Sequence, residues 1–159
     1  MTAIPSRLSH SPFRATESVL RPATRRCAPL NANCVVCGAT NTNGLQLEFR
    51  SDTEGVEADW LPTRSWEGFQ GIVHGGIISA VLDEAMSKAV MARNWEALTV
   101  DLRVRFRGRV TPGEQLRIRG WVVEKHKRKI TAEAILVTCF SVERAHAWAT
   151  FLIPRIAVP

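Results

Sequence analysis

The chain has 159 residues, of which 45% are hydrophobic, and a formal net charge of +6 at pH 7. This length is typical of one domain, and the hydrophobic content is sufficient for a packed core. No apolar run is long enough to span a bilayer and no signal-peptide core stands near the start, so we expect neither membrane insertion nor secretion. The four cysteines are then expected to be thiols of a cytoplasmic protein.

Residues 1–33 form a basic segment that differs in composition from the rest of the chain. Its first thirty residues hold a single acidic residue, Glu17, and five arginines: Arg7, Arg14, Arg21, Arg25 and Arg26. The segment is rich in Ser, Thr and Pro and has no helical or strand period, which predicts a disordered tail. An organelle transit peptide has the same bias, and this alternative stays open. We place the folded domain at residues 34–159.

The first half of the folded region predicts a turn, two strands and a loop. Residues 45–50 alternate apolar and polar side chains, as a half-buried strand does. A second strand has the apolar residues of 56–60 on its inner face and ends at Pro62. Residues 66–73 are punctuated by glycines, which predicts a loop leading into the next element.

Two cysteines near the start of the folded region, Cys34 and Cys37, have the spacing of half a zinc site. A structural zinc site needs four ligands, and no second pair stands at a matching spacing. Cys27 is nearby, whereas Cys139 lies in a predicted strand. We therefore predict a tight turn with two small thiols and no metal.

A long helix is predicted from Gly76 to Arg93, with Asn94 as its C-terminal cap. It is apolar around much of its circumference, which indicates a buried helix. Glu84 and Lys88 stand four residues apart in the favourable order, and we predict that they mark its solvent-exposed edge. A narrow polar stripe also runs along the helix at a spacing of four residues: Ser79, Asp83 and Ser87.

The start of this helix, His74-Gly75-Gly76, and the carboxylate of Asp83 have the features of an acyl-transfer site. Glycines let another molecule approach the backbone. The first turn of a helix has unpaired N–H groups and the positive end of the helix dipole, so it attracts an anion. An oxyanion formed on a carbonyl is such an anion, and a carboxylate can act as base or nucleophile. We therefore predict an oxyanion-binding turn and a catalytic Asp83.

The distance between these two features predicts the quaternary structure. Asp83 lies about 10 Å along the helix axis from Gly76, whereas a catalytic base must come within about 3 Å of its proton or act through one water. Two antiparallel copies of the helix would pair Asp83 of one chain with the Gly75 turn of the other. We predict an obligate homodimer with two shared sites, and leave open whether dimers pair. The alternative is a structural carboxylate bonded to Ser79 or Ser87.

Four strands are predicted after the helix. The first, residues 99–110, has apolar side chains on one face and arginines on the other; the rest lie near 116–122, 129–140 and 145–154, with a charged hairpin tip at 125–129. The order of two strands, a long helix and four strands in hairpin succession predicts an α+β fold. Five arginines are expected on a solvated outer sheet face: Arg103, Arg105, Arg107, Arg117 and Arg119.

The segment 66–76, WEGFQGIVHGG, followed by Asp83, resembles the hotdog-fold thioesterases, in particular the PaaI-like enzymes and the human thioesterase superfamily members. The family pattern is His-Gly-Gly with an Asp nine residues after the His, as in this chain. Residues 99–102 resemble the family's first strand after the helix, and residues 34–38 resemble the start of one branch. The resemblance covers residues 34–155. It implies the hotdog fold, a curled antiparallel β-sheet wrapped around one long central α-helix.

The resemblance implies an acyl-CoA thioesterase that hydrolyses an acyl-CoA thioester to a free acid and coenzyme A, with no cofactor. It assigns carbonyl polarisation to the backbone N–H groups of Gly75 and Gly76. Asp83 of the partner chain would activate water or attack directly. Thr99 and Ser87 would orient that water or Asp83. His74 would shape the glycine turn through hydrogen bonds.

Substrate contacts also follow from the resemblance. The acyl chain is expected in a groove between the two helices of the dimer, lined by Phe69, Met86 and Val90. Arg128 and Lys129 at the hairpin tip are candidates for binding the phosphates of coenzyme A.

One residue departs from the family pattern. Several relatives carry Asn or Gln six residues before the His, as a second carbonyl contact, whereas this chain has Gly68. Either a side chain such as Glu67 or Gln70 fills that place, or carbonyl activation is weaker.

Two other functions remain as alternatives. A hotdog dehydratase or hydratase would use a His with an Asp or Glu for proton transfer at carbon, and a non-catalytic module would bind acyl-CoA without turnover. A nucleic-acid surface is not expected, because the basic residues are not interleaved with aromatics and no known reading module is present. We also expect no membrane partner.

Overall fold

The computed structural model describes residues 25–27 and 31–155. One helix, α1 (Gly75–Met91), follows five short strands and precedes four long ones. The strands are β1 (Arg25–Arg26), β2 (Arg50–Ser51), β3 (Val56–Trp60), β4 (Glu67–Phe69), β5 (Ile72–Val73), β6 (Leu98–Phe106), β7 (Leu116–His126), β8 (Lys129–Thr138) and β9 (Glu143–Leu152).

Seven of these strands form one antiparallel sheet in the order β1-β2-β3-β7-β8-β9-β6, and α1 packs against it. The apolar side chains of the helix and of the inner sheet face share one hydrophobic core. Gly120 of β7 lets the helix come close, because a Cβ there would lie 2.6 Å from the carbonyl oxygen of Ala85. The predicted α+β arrangement of a curled sheet around one buried helix is confirmed.

The helix begins one residue earlier and ends two residues earlier than predicted. His74 is its N-cap and Ala92 its C-cap. Asn94, predicted as the cap, lies two residues further on with a left-handed backbone (φ 59°), so it turns the chain towards β6 after the helix has ended.

Two predictions upstream of the helix are wrong. Residues 45–49 of the strand predicted at 45–50 are not in a strand. The N–H groups of Leu45 and Leu47 donate to the Val35 and Val36 carbonyls, and Gln46 between them has φ 51°. Residues 66–73, predicted as a loop, contain the β4–β5 hairpin, whose turn uses Gly71 at φ 74°. A 3₁₀ turn at Arg64–Trp66 precedes this hairpin.

The pair Glu84 and Lys88 does not mark the solvent edge of the helix. The two side chains form an ion pair of 3.6 Å, but the side chain of Lys88 is only 2% exposed. The turn at residues 34–37 covers this side of the helix, with the Cys34 Sγ 3.8 Å from the Glu84 Oε2. The predicted solvent edge is therefore an internal contact.

One of the five arginines expected on the solvated face is buried. Arg119 is 5% exposed, and its guanidinium lies 3.3 Å from the Asp52 carboxylate and 3.4 Å from that of Glu54. Arg103, Arg105 and Arg107 are exposed as predicted.

The sheet begins earlier than residue 34, because β1 pairs with β2 at its edge. The tail predicted for residues 1–33 otherwise lies mostly outside the described residues. Within the described part of the chain, no helix is both long enough and apolar enough to cross a membrane.

Candidate active site

The carboxylate of Asp83 is held by the strand next to the helix. The Thr99 hydroxyl donates to the Asp83 Oδ1 at 2.9 Å, and both residues are half-buried. Burial raises the pKa of Asp83 above its ordinary value, the Thr99 hydrogen bond opposes this, and the nearby charge of Glu84 adds to it. Loss of hydration disfavours a charged carboxylate, which makes Asp83 more basic than a surface aspartate. A hydrogen bond between Asp83 and Ser79, one of the structural alternatives considered for this carboxylate, is not observed. The Ser79 hydroxyl donates instead to the Gly75 carbonyl.

The glycine turn is held in shape by His74. The His74 Nδ1 accepts a hydrogen bond of 2.9 Å from the Gly76 N–H, and a Cβ on Gly76 would lie 2.9 Å from this nitrogen. The Gly76 N–H is therefore already used by the cap. Among the described residues, none accepts a hydrogen bond from the Gly75 N–H. The turn thus presents one free amide, that of Gly75.

The imidazole of His74 lies against the backbone of Gly68. A Cβ on Gly68 would lie 2.8 Å from the His74 Cδ2. A side chain at residue 68 would therefore have to displace this ring.

A cavity of about 580 Å³ opens at the glycine turn. It is lined by the β4–β5 hairpin, the start of α1 and the end of β6 with the residues that follow. Phe69, predicted to contact substrate, lies at its rim and is 81% exposed. Phe106 and Arg109 also line this cavity and were not predicted as site residues. The alternation of β6 placed Phe106 on the apolar face, but nothing in the sequence placed that face beside Gly75.

The two parts of the site lie at opposite ends of β6. Gly75 is next to Phe106, since a Cβ on Gly75 would lie 3.2 Å from the ring. Asp83 is bonded to Thr99 near the start of the strand. Asp83 lies eight residues, or about 12 Å, along the helix from Gly75. One chain therefore carries two separated half-sites.

An irregularity in β6 puts both half-sites on the inner face of the sheet. The register with β9 shifts between Thr99 and Asp101. Thr99 consequently faces the same way as Leu102, Val104 and Phe106, and the β9 partners of all four are buried: Phe151, Ala149, Ala147 and Ala145. Strict alternation would have placed Val100 there instead of Thr99.

Two of the predicted substrate residues are buried in the core. Met86 and Val90 are 0% and 1% exposed, because they face the core of their own chain, so lining of a groove by these two residues is not supported. Ser87 is half-buried one turn after Asp83. Arg128 and Lys129 are exposed at the β7–β8 hairpin, and the Arg128 Nε donates to the Ile153 carbonyl at 2.8 Å.

Comparison with known proteins finds a family model that matches the central part of the chain. A family model described as the thioesterase superfamily matches residues 70–138, which include α1, β6, β7 and β8. No curated protein sequence matches the chain.

Solved structures share the fold. A thioesterase superfamily protein superposes with a TM-score of 0.73 at 21% identity, covering 76% of this chain and 60% of its own. A Streptococcus mutans protein bound to acetyl-CoA has a TM-score of 0.64 at 18% identity, and the match covers 68% of this chain and 88% of that protein. The E. coli PaaI protein of the phenylacetic acid degradation operon has a TM-score of 0.64 at 17% identity, and the match covers 68% of this chain and 83% of that protein. This chain thus spans less than two thirds of the first of these proteins.

A curled sheet around one helix, with a capped glycine turn at the helix start and a carboxylate two turns further on, defines the hotdog class. The chain thus shares its fold with solved thioesterase superfamily proteins, and the thioesterase superfamily model matches its central segment.

Proposed function

We propose that the protein is an acyl-CoA thioesterase whose two active sites are shared across a homodimer. The observation that carries the proposal is the placement of the Asp83–Thr99 pair and the free Gly75 N–H at opposite ends of one exposed edge strand. Neither half-site contains both a carbonyl-binding group and a base, so hydrolysis needs a second chain.

The edge strand β6 supports this dimer. Among the described strands, β6 pairs only with β9, and its other edge is free. Large apolar side chains are exposed along it: Leu98, Val100, Leu102 and Phe106. An exposed edge with apolar side chains is a template for pairing with another strand. A second copy of this chain would satisfy both the backbone groups and the apolar surface.

Antiparallel pairing of two β6 strands would complete the site. Pairing over the strand, centred on Leu102, sets the end of β6 that carries Thr99 beside the end of the partner strand that carries Phe106. Because Asp83 is bonded to Thr99 and Gly75 lies on Phe106, the carboxylate of one chain approaches the glycine turn of the other. This is the isologous contact of a twofold dimer.

The chemistry follows from these two groups. The Gly75 N–H, at the positive end of the helix, would donate to the thioester carbonyl and stabilise the oxyanion of the tetrahedral intermediate. Asp83 would take a proton from an attacking water, or attack the carbonyl itself. When water attacks, collapse of the intermediate expels the thiolate of coenzyme A, which takes the proton held by Asp83, and leaves the free acid. When Asp83 attacks, collapse expels the same thiolate and leaves a mixed anhydride, which water then hydrolyses to the free acid and the Asp83 carboxylate. The Thr99 hydroxyl orients the carboxylate.

Coenzyme A is the thiol expected on the substrate. The S. mutans protein of the same fold is bound to acetyl-CoA. In this chain, Lys129 pairs with Leu152, which also pairs with Leu98 next to Thr99. The basic hairpin tip with Arg128 and Lys129 therefore lies at the same end of the sheet as Thr99 and the Asp83 half-site. There it would bind the phosphates of coenzyme A.

The arrangement of His74 favours hydrolysis over hydration of a double bond. Its Nδ1 accepts from the Gly76 N–H, and Asp83 lies two turns away on the same helix. A histidine committed to a helix cap is poorly suited to be half of an acid–base pair with that aspartate. Incubation with an enoyl-CoA should therefore leave the conjugated double bond intact.

The decisive experiment is a thiol-release assay on a panel of short, long and aromatic acyl-CoAs. Asp83→Asn should lower kcat by roughly 10²–10⁴-fold, the contribution of a general base. Asp59→Asn is the matched control, since Asp59 is held by Arg50 and Arg117 on the far strand β3, and it should keep wild-type turnover. Hydrolysis by Asp83→Asn at the wild-type rate would refute the proposal, as would binding without turnover by the wild type.

A further inference from the structure

A second cluster of reactive side chains lies on the side of α1 that carries Glu84. The turn at residues 34–37 brings Cys34 and Cys37 against the Glu84 carboxylate, with the ligand atoms of all three within 4.8 Å of one another. The Cys34 Sγ lies 3.8 Å from the Glu84 Oε2. The sequence showed two of these groups, whereas the third comes from the helix nearly fifty residues later.

The turn that carries the thiols is built to hold them together. The Val36 N–H points at the Cys34 Sγ at 3.4 Å, and the Gly38 N–H donates to the Cys34 carbonyl at 3.0 Å. A Cβ on Gly38 would lie 2.4 Å from the Ala32 carbonyl oxygen, so the turn closes this tightly only with glycine. The turn thus holds the Cys34 sulfur against an N–H group and keeps the Cys37 sulfur within 4.8 Å of it.

The charges around the cluster balance with or without a divalent cation. The Lys88 Nζ lies 3.6 Å from the Glu84 Oε1 and is buried. With both cysteines protonated, one carboxylate faces one ammonium. With both ionised and a divalent cation bound, three negative charges face three positive ones. Buried charge must be compensated, and here it is in both states.

We propose that Cys34, Cys37 and Glu84 bind one zinc ion, with water in the fourth position. Zinc is the divalent cation that takes two thiolates and a carboxylate, at about 2.3 and 2.0–2.2 Å. A tetrahedron of those bond lengths sets its ligand atoms about 3.3–3.8 Å apart, so the present separations of up to 4.8 Å would shorten by about 1 Å on binding. Binding exchanges two thiol protons for the cation and releases them to solvent. The ion would tie the turn at residues 34–37 to α1.

The test is metal content and spectroscopy of the full chain, kept reduced with a phosphine. After dialysis against zinc and then against metal-free buffer, elemental analysis should find zinc stoichiometric with the chain. Cobalt(II) should give sulfur-to-metal charge-transfer absorption and the visible bands of a tetrahedral site. Cys34→Ser, Cys37→Ser and Glu84→Gln should each lose stoichiometric zinc, whereas Cys139→Ser, in an exposed turn, should retain it.

Circular dichroism of each variant separates lost binding from lost folding, and zinc should raise the melting temperature of the wild type but not of folded Cys37→Ser. The proposal is overturned if the folded, reduced wild type retains no zinc, if cobalt gives no charge-transfer band, or if the serine variants bind as well as the wild type. A disulfide between Cys34 and Cys37 that persists with the reductant present also overturns it.

Discussion

The imidazole of His74 lies against the backbone of Gly68, with the ring Cδ2 2.8 Å from where a Cβ on residue 68 would stand. The same ring caps the helix by accepting from the Gly76 N–H. Two glycines therefore frame one side chain, and the ring fixes the direction in which the Gly75 amide points. A side chain at residue 68 would therefore disturb the residue that caps the helix.

Gly68→Ala should reduce catalysis while leaving the chain folded. The new methyl group pushes the ring away from Gly76 and releases the turn, and misplacement of a catalytic group by about 1 Å can cost on the order of 10²-fold in rate. We expect a loss of this order in kcat/KM for acyl-CoA hydrolysis. In a His74→Ala background the 2.8 Å contact with the ring is removed and only the 3.2 Å contacts with the Cα and Cβ of residue 74 remain, so the added effect of Gly68→Ala should be smaller. Additive losses in this double-mutant cycle would contradict the contact.

Thr99→Val should shift the pH dependence of hydrolysis. The Thr99 hydrogen bond favours the ionised form of Asp83 and opposes the effect of burial on its pKa. Without it the pKa of Asp83 rises further, so the acidic limb of the kcat/KM profile should move to higher pH. Thr131→Val on β8 is the control and should leave the limb in place. An unchanged limb in Thr99→Val would show that this carboxylate does not control the reaction.

Asp83→Asn and Asp59→Asn should change stability in opposite directions near neutral pH. Burial raises the pKa of Asp83, so its ionisation opposes folding and Asp83→Asn should melt higher than the wild type. Burial alone would also raise the pKa of Asp59, but hydrogen bonds from Arg117 and Arg50 lower it below the ordinary value. Asp59→Asn should therefore melt lower than the wild type.

The two effects also differ in their pH windows. The stability that protonated Asp83 provides is fully present below the pKa of an unfolded aspartate and is lost as pH rises through its higher folded value. The stability from ionised Asp59 is present above the unfolded pKa and is lost as pH falls through its lower folded value. The melting temperatures of the wild type and both variants, measured between about pH 3 and pH 8, where carboxyl groups titrate, should show the two windows. Parallel curves would mean that the two carboxyls share one environment.

Leu102→Asp should separate the proposed dimer. In the pairing symmetric about Leu102, the substitution sets two carboxylates face to face across the twofold axis, which is destabilising. We expect a monomer by sedimentation and loss of hydrolysis, because each site needs both chains. Leu61→Asp removes an exposed apolar side chain after the far strand β3, and it should stay dimeric and active. An active Leu102→Asp monomer would eliminate the shared site.

Mixing two inactive chains gives a more direct test of sharing. A heterodimer of Asp83→Asn and His74→Ala has one site with both substitutions and one with neither. With random exchange, half of the dimers are mixed, so activity should recover to about a quarter of the wild type. If both groups served one chain, mixing would restore nothing.

The sequence predicted the elements whose side chains follow a simple period. The apolar helix and the alternating strands after it were recognisable because burial repeats with the geometry of each element. The pairing of Asp83 with the strand that begins near Thr99 was expected from family resemblance, and the Thr99 hydrogen bond is now observed. The 66–73 hairpin was missed because glycines in a short strand look like a loop.

Long-range packing accounts for the other differences. Lys88 has the spacing of a surface ion pair, but a turn far away in sequence covers it. Arg119 alternates like an outer-face residue, yet the carboxylates of Asp52 and Glu54 enclose it. Gln46 adopts a left-handed backbone inside an alternating stretch. Local patterns carry no information about which distant segment covers a given face, so these placements needed coordinates.

Asp83 and Glu84 are neighbours in the chain, yet they leave the helix in different directions. One meets the hydroxyl of Thr99 on β6, and the other meets the thiol of Cys34. Two consecutive helix residues thus connect the candidate active site with the contact that holds the turn at residues 34–37 against α1. The negative charge of Glu84 is one of the causes that raise the pKa of Asp83. Neutralising this charge should therefore lower the pKa of Asp83.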